Sequence, residues 1–282
     1  MNNDDLVELV RTKEFYLKHK SPRDEKVLEA MRKVDRRDFL TDGSTVLGAF
    51  DPDLMGEMDE FARNFFSGTK DGETESRKNA GSLLMTIANL FSTRRDYETN
   101  IKDLAYNDFP LPLGETGQTC SQPSMVGFMS DVLELEKGMK VLEVGSGCGY
   151  HAAVISYLVG EEGKVVTIEY VPALAELAEK NLKAHFGDKG FEKRFKVICG
   201  DGSVGFKEEA PFDRIYLTAG VELKEGKFNP YILTKQLNPD GGILLYPEKV
   251  GDMIKHKFIA GKIIDKERFS NVTFVPLQGE NS

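Results

Sequence analysis

A glycine-rich turn between a strand-like run and a helix-like run constrains this chain most. Residues 141–150 read Val-Leu-Glu-Val-Gly-Ser-Gly-Cys-Gly-Tyr, so a short apolar run with β-branched residues leads into three alternating glycines. Glycine lets the backbone turn sharply and approach a ligand closely. A helix that begins at Tyr150 presents unpaired N–H groups beside the loop. The pattern predicts a site for a small polar cofactor at a strand-to-helix turn.

The loop departs from the fingerprint of dinucleotide-binding folds. Counted from Gly145, the spacing Gly-x-Gly-x-x-Gly requires a glycine where the chain has Tyr150. Glu169 follows at the end of the next predicted strand, 20 residues after Gly149. A carboxylate there accepts hydrogen bonds from both hydroxyls of a ribose and repels a 2′-phosphate. The spacing therefore favours a nucleoside ligand over a phosphorylated dinucleotide.

Two further acids complete a pattern that resembles the nucleoside-binding half of Rossmann-like S-adenosylmethionine-dependent methyltransferases. Glu143 precedes the glycines, and Asp201 lies in the later run Cys-Gly-Asp-Gly. The resemblance implies that Glu143 favours the cationic methionyl end of the cofactor and that Asp201 reaches the adenine. Any one acid alone also fits a solvated strand end. The candidate cofactor-binding residues are Glu143, Gly145, Ser146, Gly147, Gly149, Glu169, Tyr170, Asp201 and Gly202.

Regular alternation of strand-like and helix-like runs begins at Lys140 and predicts an α/β fold. The expected strands are 140–144, 164–169, 195–199, 212–218 and 241–246, and the expected helices are 150–159, 172–185 and 229–237. This order is typical of a doubly wound, mostly parallel Rossmann-like sheet. Two alternating runs near 254–264 and 268–276 predict an antiparallel pair at the C-terminal edge.

The first 100 residues have a different character. Apolar spacing over 6–17 and the run Ser21-Pro-Arg-Asp24, which has the form of a helix start, predict two short opening helices. Glycines and Asp51-Pro52 then interrupt residues 41–100, where 54–66 and 83–91 carry helical patches. We therefore expect an N-terminal helical region with an insertion, 1–100, followed by a methyltransferase domain, 101–282.

The segment 105–123, rich in Pro, Gly and small hydroxyl residues, precedes the sheet and predicts a rigid structured loop. A helix is expected from Pro123 to Leu133. Ser121 and Thr119 are candidate N-caps for that helix whatever the function. Capping is thus the alternative to a chemical role for Ser121.

Composition narrows the possible partners. The 282 residues carry a formal net charge of −9, which argues against a nucleic-acid partner, because a phosphate backbone attracts clustered Lys and Arg. The three scattered cysteines offer neither a disulfide framework nor paired metal-ligand spacing, so a reducing cytoplasm is expected. An acidic N-terminus and short apolar runs predict neither a secretory signal nor a membrane span.

Five sequence motifs, taken together, resemble those of protein-L-isoaspartate O-methyltransferases. The resemblance is carried over residues 101–282 by the runs 117–123 (Gly-Gln-Thr-Cys-Ser-Gln-Pro), 141–150, 168–170 (Ile-Glu-Tyr), 200–203 (Gly-Asp-Gly-Ser) and 210–216 (Ala-Pro-Phe-Asp-Arg-Ile-Tyr). A shorter match, 27–39, resembles the helix that opens that family. The resemblance implies transfer of a methyl group from S-adenosylmethionine to the α-carboxylate of isoaspartyl residues in damaged proteins or peptides, as a repair reaction. Ser121 is implied as the active-site residue, and Thr119, Gln118 and Gln122 as substrate-binding residues.

That chemistry agrees with the lack of an evident catalytic base. A free α-carboxylate has a pKa near ~3.5 and is an anion at pH 7, so no side chain must remove a proton from it. The rate must come from holding the carboxylate oxygen in line with the methyl group and from replacing water with fixed donors. Hydroxyl and backbone N–H groups suffice for both.

Three departures from the family pattern keep alternatives open. The run 114–117 is one residue longer than usual, Cys120 replaces a branched aliphatic residue, and the family does not normally carry the insertion at about 41–100. One alternative is a related carboxyl methyltransferase whose insertion recognises a dedicated protein partner. Another is a cofactor-binding interaction protein without turnover. A transfer-RNA methyltransferase is disfavoured by the acidic charge.

Overall fold

A seven-stranded sheet forms the centre of the computed structural model, which describes residues 1–12, 24–41, 44–45, 99–223 and 227–282. The strands are β1 Ser44–Thr45, β2 Thr99–Asn100, β3 Leu111–Pro112, β4 Thr119–Cys120, β5 Lys140–Val144, β6 Lys164–Glu169, β7 Phe195–Cys199, β8 Arg214–Leu217, β9 Gly242–Pro247, β10 Val250–Ile259 and β11 Lys262–Thr273. The helices are α1 Asn3–Thr12, α2 Glu25–Lys33, α3 Pro123–Val132, α4 Tyr150–Val159, α5 Pro172–Arg194 and α6 Tyr231–Thr234.

The main sheet has the strand order β11-β10-β9-β8-β5-β6-β7. The five strands from β9 to β7 in this order are parallel, and β10 and β11 add an antiparallel edge. The sequence-based prediction of a mostly parallel sheet with an antiparallel C-terminal edge is confirmed. The strand order reverses at β5, so the carboxyl ends of β5, β6 and β8 border one crevice. Ligands of open α/β sheets bind in such a crevice.

Apolar side chains cover both faces of the sheet, as a parallel sheet requires. Leu142, Val144 and Ile168 pack on one face with Phe228 and Leu233. The opposite face is covered by apolar residues of the N-terminal helices, α3, α4 and α5. Because side chains alternate along a strand, that second face also receives the polar residues Glu143, Thr167 and Tyr216, which are direct neighbours in the strand register.

Two helices differ in length from their prediction. The helix expected at 172–185 continues to Arg194, although Gly187 has φ 69° and interrupts its helical conformation. The helix expected at 229–237 is reduced to Tyr231–Thr234. Its end is set by long-range pairing, because the Asn238 N–H donates to the Phe212 carbonyl beside the bridge between Phe212 and Leu237.

The two C-terminal runs form the expected antiparallel pair of strands, but the strand boundaries differ from those predicted from side-chain alternation. The turn falls at Ala260 and Gly261, which have φ 50° and 73°. β10 therefore begins at Val250 and ends at Ile259, and residues 262–264 belong to β11. The left-handed conformation of these two residues decides the turn, and side-chain alternation does not report it.

The opening helices exist, but α2 starts differently from the prediction. Asp24, the last residue of the predicted helix start, is itself the N-cap and accepts a hydrogen bond from the Lys26 N–H at 3.1 Å. Ser21 and Pro22, the predicted start, lie outside the described residues. α2 packs against α1, α3 and α4. The helical patches predicted within 54–66 and 83–91 also lie outside the described residues.

Candidate cofactor and substrate site

The glycine loop leaves β5 and enters α4 where the sequence places it. Gly145 has φ 99°, and a Cβ atom on it would overlap the Thr218 hydroxyl. That hydroxyl donates to the Gly145 carbonyl at 2.6 Å. Gly149 is the N-cap of α4 with φ 86°. The loop therefore needs glycine both for its conformation and for the close approach of β8.

Glu169 anchors the loop from the end of β6. Its Oε2 accepts the Gly147 N–H at 2.9 Å, and its Oε1 accepts the Val171 N–H at 3.0 Å. The side chain is only 6% exposed, yet it lines the cleft beside the loop. A carboxylate has about four acceptor positions, so two remain for ligand hydroxyls.

Glu143 is fully buried at the centre of a side-chain network. Its carboxyl oxygens accept from the Thr167 hydroxyl at 2.5 Å and from the Tyr216 hydroxyl at 2.7 Å. Thr167 also contacts the Ser146 hydroxyl at 2.6 Å, which joins the network to the glycine loop. Burial raises the pKa of Glu143 to about 8, although both hydrogen bonds oppose that rise. Burial therefore favours the protonated form of this carboxyl near neutral pH.

These elements line one common cleft, which is open to solvent on one side. Its lining contains the carboxyl groups of Glu143 and Glu169 and neither Lys nor Arg. Burial lowers the pKa of His151 to about 3, so that lining residue is neutral at pH 7. These acceptor groups fit a ligand with hydroxyls and a cationic group, and they disfavour a phosphorylated one.

Part of the segment 105–123, here called the substrate segment after its predicted role, also lines the cleft. Gln118, Thr119 and Ser121 all line the cleft. In the described part of the chain, the Ser121 hydroxyl makes no hydrogen bond. The prediction that Ser121 or Thr119 caps the next helix is wrong, because Gln122 is the N-cap. Capping therefore does not explain Ser121.

Asp108 performs the capping from a distance. Its carboxylate accepts from the Ser124 N–H at 2.8 Å and from the Ser124 hydroxyl at 2.9 Å. The Gln122 amide also donates to it at 3.1 Å. Gln122, a predicted substrate contact, is therefore bound to Asp108 and is absent from the cleft lining.

Of the remaining residues predicted to bind the cofactor, two line the cleft and one does not. Gly202 lines the cleft, where a Cβ atom on it would come within 2.7 Å of Val144 Cγ1. Tyr170 lines the cleft and is 52% exposed. Asp201 does not line it, because its carboxylate accepts the N–H groups of Ser203 and Glu280 at 2.9 and 2.8 Å. Its predicted contact with adenine would therefore have to use the remaining acceptor positions of an already engaged carboxylate.

Sequence reasoning missed three parts of this site. Residues 275–278, in the C-terminal tail, line the cleft, as does Thr218. The third is Arg36, whose guanidinium binds the substrate segment. No local pattern marks these residues, because chain folding over long distances brings them to the site.

Comparison with known proteins agrees with this geometry. The family model described as protein-L-isoaspartate(D-aspartate) O-methyltransferase matches residues 78–282. The chain belongs to this family. A protein-L-isoaspartate O-methyltransferase from Methanococcus maripaludis is 48% identical over 185 residues, which is 64% of this chain and 80% of that protein. A second such enzyme from Archaeoglobus fulgidus is 46% identical over 183 residues, 64% and 77% of the two chains.

Solved structures share the methyltransferase fold. A protein-L-isoaspartate O-methyltransferase is 23% identical with a TM-score of 0.64, over 99% of this chain and 67% of that one. A Plasmodium falciparum protein described as the same enzyme, in complex with S-adenosyl-L-homocysteine, is 20% identical with a TM-score of 0.63, over 99% of both chains.

As a member of this family of protein-repair enzymes, the chain is an S-adenosylmethionine-dependent protein carboxyl O-methyltransferase. The cleft lining fits that cofactor, since its two acids suit hydroxyl and cationic groups and none of its residues is Lys or Arg. Among the described helices, none combines the length and apolar character needed to cross a membrane. The boundary at residue 100 stays a prediction, and the family match begins earlier, at residue 78.

The pKa of Glu143 yields a prediction for this methyltransferase. A cation bound beside Glu143 favours its ionised form, so binding of S-adenosylmethionine at pH 7 should release up to about one proton. Affinity should then rise with pH up to about 8, the pKa of the free carboxyl. Calorimetry in two buffers of different ionisation enthalpy measures the proton count. Glu143→Gln should release none, and equal heats for the wild type in both buffers would contradict the role of Glu143.

Proposed function

We propose that this enzyme methylates the α-carboxylate of L-isoaspartyl residues in damaged proteins and peptides, and that Ser121 contacts that carboxylate. The observation that carries the role of Ser121 is that it lines the same cleft as the glycine loop and that its hydroxyl has no partner among the described residues. A polar group left unpaired at the edge of a cleft is available to a ligand. Family membership supports the choice of substrate.

The proposed reaction requires little acid–base catalysis from the protein. S-adenosylmethionine supplies, when bound, an electrophilic methyl group on a positively charged sulfur. An α-carboxylate is already ionised at pH 7, so the chain must bind and orient it without removing a proton. Ser121 and Thr119 offer neutral hydroxyl donors at the rim. A neutral donor suits this task, because a cation would hold the carboxylate too firmly in its ground state.

Water exclusion is the second contribution of the protein. The cleft lining includes the apolar residues Val126, Ile168, Val171 and 275–277 beside its polar groups, and these would shield the reacting atoms from water. Fixed donors act more strongly in such surroundings than in water. His151 cannot act as a proton carrier at pH 7, because burial depresses its pKa to about 3.

The proposed substrate is tested by transfer of labelled methyl from S-adenosylmethionine to a synthetic isoaspartyl peptide. The matched aspartyl peptide, identical except for the backbone linkage, is the control. We expect base-labile label on the isoaspartyl peptide alone. Equal labelling of both peptides would show a carboxyl methyltransferase without linkage specificity. Absence of label on either peptide, despite cofactor binding, would refute the proposed substrate.

We infer further that the insertion predicted at 41–100 is where a dedicated protein partner would be recognised. Ser44–Thr45 pairs antiparallel with Thr99–Asn100, so the two ends of the segment between them are adjacent, as expected of an insertion that a short turn can replace. An Asn-Gly turn that joins Thr45 to Thr99 would match this geometry and remove 46–98. If the segment only recognises a partner, this shortened enzyme should keep full activity on the isoaspartyl peptide. A loss of that activity would contradict the inference.

A further inference from the structure

Arg36 is a buried cation that the reaction as described above does not use. It begins the 3-10 turn Arg36–Phe39, which follows α2, and its relative exposure is 0%. It forms no ion pair within the described ranges of the chain. A charge removed from water is costly unless hydrogen bonds replace its hydration. The hydrogen-bond partners of Arg36 therefore show which part of the structure this buried charge stabilises.

Among the described residues, its guanidinium donates five hydrogen bonds to main-chain carbonyls of one segment. Nη1 donates to the carbonyls of Ala105 and Asn107 at 3.1 and 3.0 Å. Nη2 donates to those of Phe109, Cys120 and Ser121 at 2.9, 3.2 and 3.1 Å. These five residues lie in the loop that carries the substrate rim. Arg36 thus joins the beginning of that loop to its end, although Arg36 itself precedes these partners by 69 to 85 residues in the sequence.

Two of the five carbonyls belong to the peptide groups on either side of Ser121. In a trans peptide the N–H points opposite to the C=O. The N–H groups of Ser121 and Gln122 therefore point away from the guanidinium. Neither N–H donates a hydrogen bond within the described residues. Arg36 fixes the direction of two free donors and of the residue that carries the rim hydroxyl.

The same contacts reach α3. Asn107 and Phe109, whose carbonyls bind Arg36, flank Asp108. Asp108 in turn binds the Ser124 N–H at the start of α3 and the Gln122 amide. Residues on both sides of Ser121 are therefore held by one connected set of hydrogen bonds whose centre is Arg36.

We propose that Arg36 is a positioning residue for methyl transfer: it sets the orientation of Ser121 and of the adjacent N–H donors toward the substrate carboxylate. This inference rests on the proposed function of Ser121. The effect is confined to the substrate side of the cleft, because none of the five carbonyls belongs to the glycine loop or to Glu169. Loss of Arg36 should lower kcat and leave cofactor affinity unchanged.

The test compares Arg36→Lys with Arg37→Lys. Lysine keeps the charge but has three donors on one nitrogen, so it cannot reproduce the planar fork that spans five carbonyls. Arg37 is the matched control, since its side chain is 49% exposed and lies 3.7 Å from Asp103. We expect Arg36→Lys to lower kcat about 10-fold or more, as small misplacements of reacting groups do. Its Kd for S-adenosyl-L-homocysteine should stay within about 2-fold of the wild type, and Arg37→Lys should change neither quantity.

A double-mutant cycle separates positioning from general stability. If Arg36 acts through Ser121, Arg36→Lys should lower kcat much less in a Ser121→Ala background than in the wild type. Equal fold-losses in both backgrounds, or an unchanged kcat for Arg36→Lys, would overturn the proposal. Should Arg36→Lys fail to fold, Asp108→Asn tests the same connected set, with the same expected loss of kcat and the same non-additivity.

Hydrogen–deuterium exchange keeps this test distinct from that of the proposed function. Amide exchange in the peptides covering 105–122 should rise in Arg36→Lys and not in Arg37→Lys. If the wild type fails to methylate the isoaspartyl peptide, the proposed function fails and exchange alone decides whether Arg36 orders the segment. Unchanged exchange in Arg36→Lys would overturn the positioning role whatever the activity.

Discussion

Replacing Ser121 with Ala should lower kcat on the isoaspartyl peptide about 10- to 100-fold, the range expected for loss of one fixed donor to a developing or buried charge. The substitution removes a hydroxyl that has no partner within the described residues, so it should not destabilise the fold. Affinity for S-adenosyl-L-homocysteine should be unchanged, because the glycine loop and Glu169 remain. Steady-state kinetics and calorimetry on the same preparation measure both quantities.

Ser156→Ala is the matched control for this experiment. Ser156 in α4 is buried, its hydroxyl also lacks a partner among the residues that the structure describes, and it does not line the cleft. It should therefore keep the wild-type kcat. A Ser121→Ala enzyme with normal turnover would remove Ser121 from the mechanism, and an equal loss in both variants would indicate a general effect of removing a hydroxyl.

Replacing Glu169 with Gln should weaken binding of S-adenosyl-L-homocysteine about 10- to 100-fold. The carboxylate accepts two backbone N–H groups, from Gly147 and Val171. An amide places its NH₂ group against one of them and also loses one acceptor for ligand hydroxyls. Hydrogen bonds to a charged group contribute roughly 1.5–3 kcal/mol, which corresponds to this range of Kd.

Glu179→Gln provides the control for that measurement. Glu179 lies on α5, is 43% exposed and pairs with Lys183, so the substitution changes charge equally without touching the cleft. Its Kd should match that of the wild type by calorimetry. An unchanged Kd for Glu169→Gln would reject its assignment to the cofactor, whereas weaker binding in both variants would point to the overall charge.

The sequence predicted those elements whose signals are local. β5, β6, β7 and α4 coincide with the predicted ranges, because apolar strands and the glycine turn are written in adjacent residues. The α3 cap was misassigned for the opposite reason. Ser121 is near the helix in sequence, but Asp108 reaches the helix N-terminus from 16 residues away. Local propensity cannot distinguish two such candidates.

The candidate site likewise combines residues that local motifs predict with residues that only tertiary structure brings together. The glycine loop and Glu169 are brought together as the spacing predicted, since consecutive parallel strands place their carboxyl ends side by side. The network of Glu143, Thr167 and Tyr216 depends on the register of three strands, which no motif encodes. The contacts of Arg36 depend on packing between distant segments. Motifs thus locate the cofactor, and tertiary structure completes the substrate side.

The most direct test of this account is a crystal structure with S-adenosyl-L-homocysteine and an isoaspartyl peptide bound together. We predict a ribose whose hydroxyls contact Glu169 and an α-carboxylate within about 3 Å of the Ser121 hydroxyl, on the side of the sulfur where the methyl group would stand. A carboxylate held by other residues, with Ser121 out of contact, would contradict the proposed site.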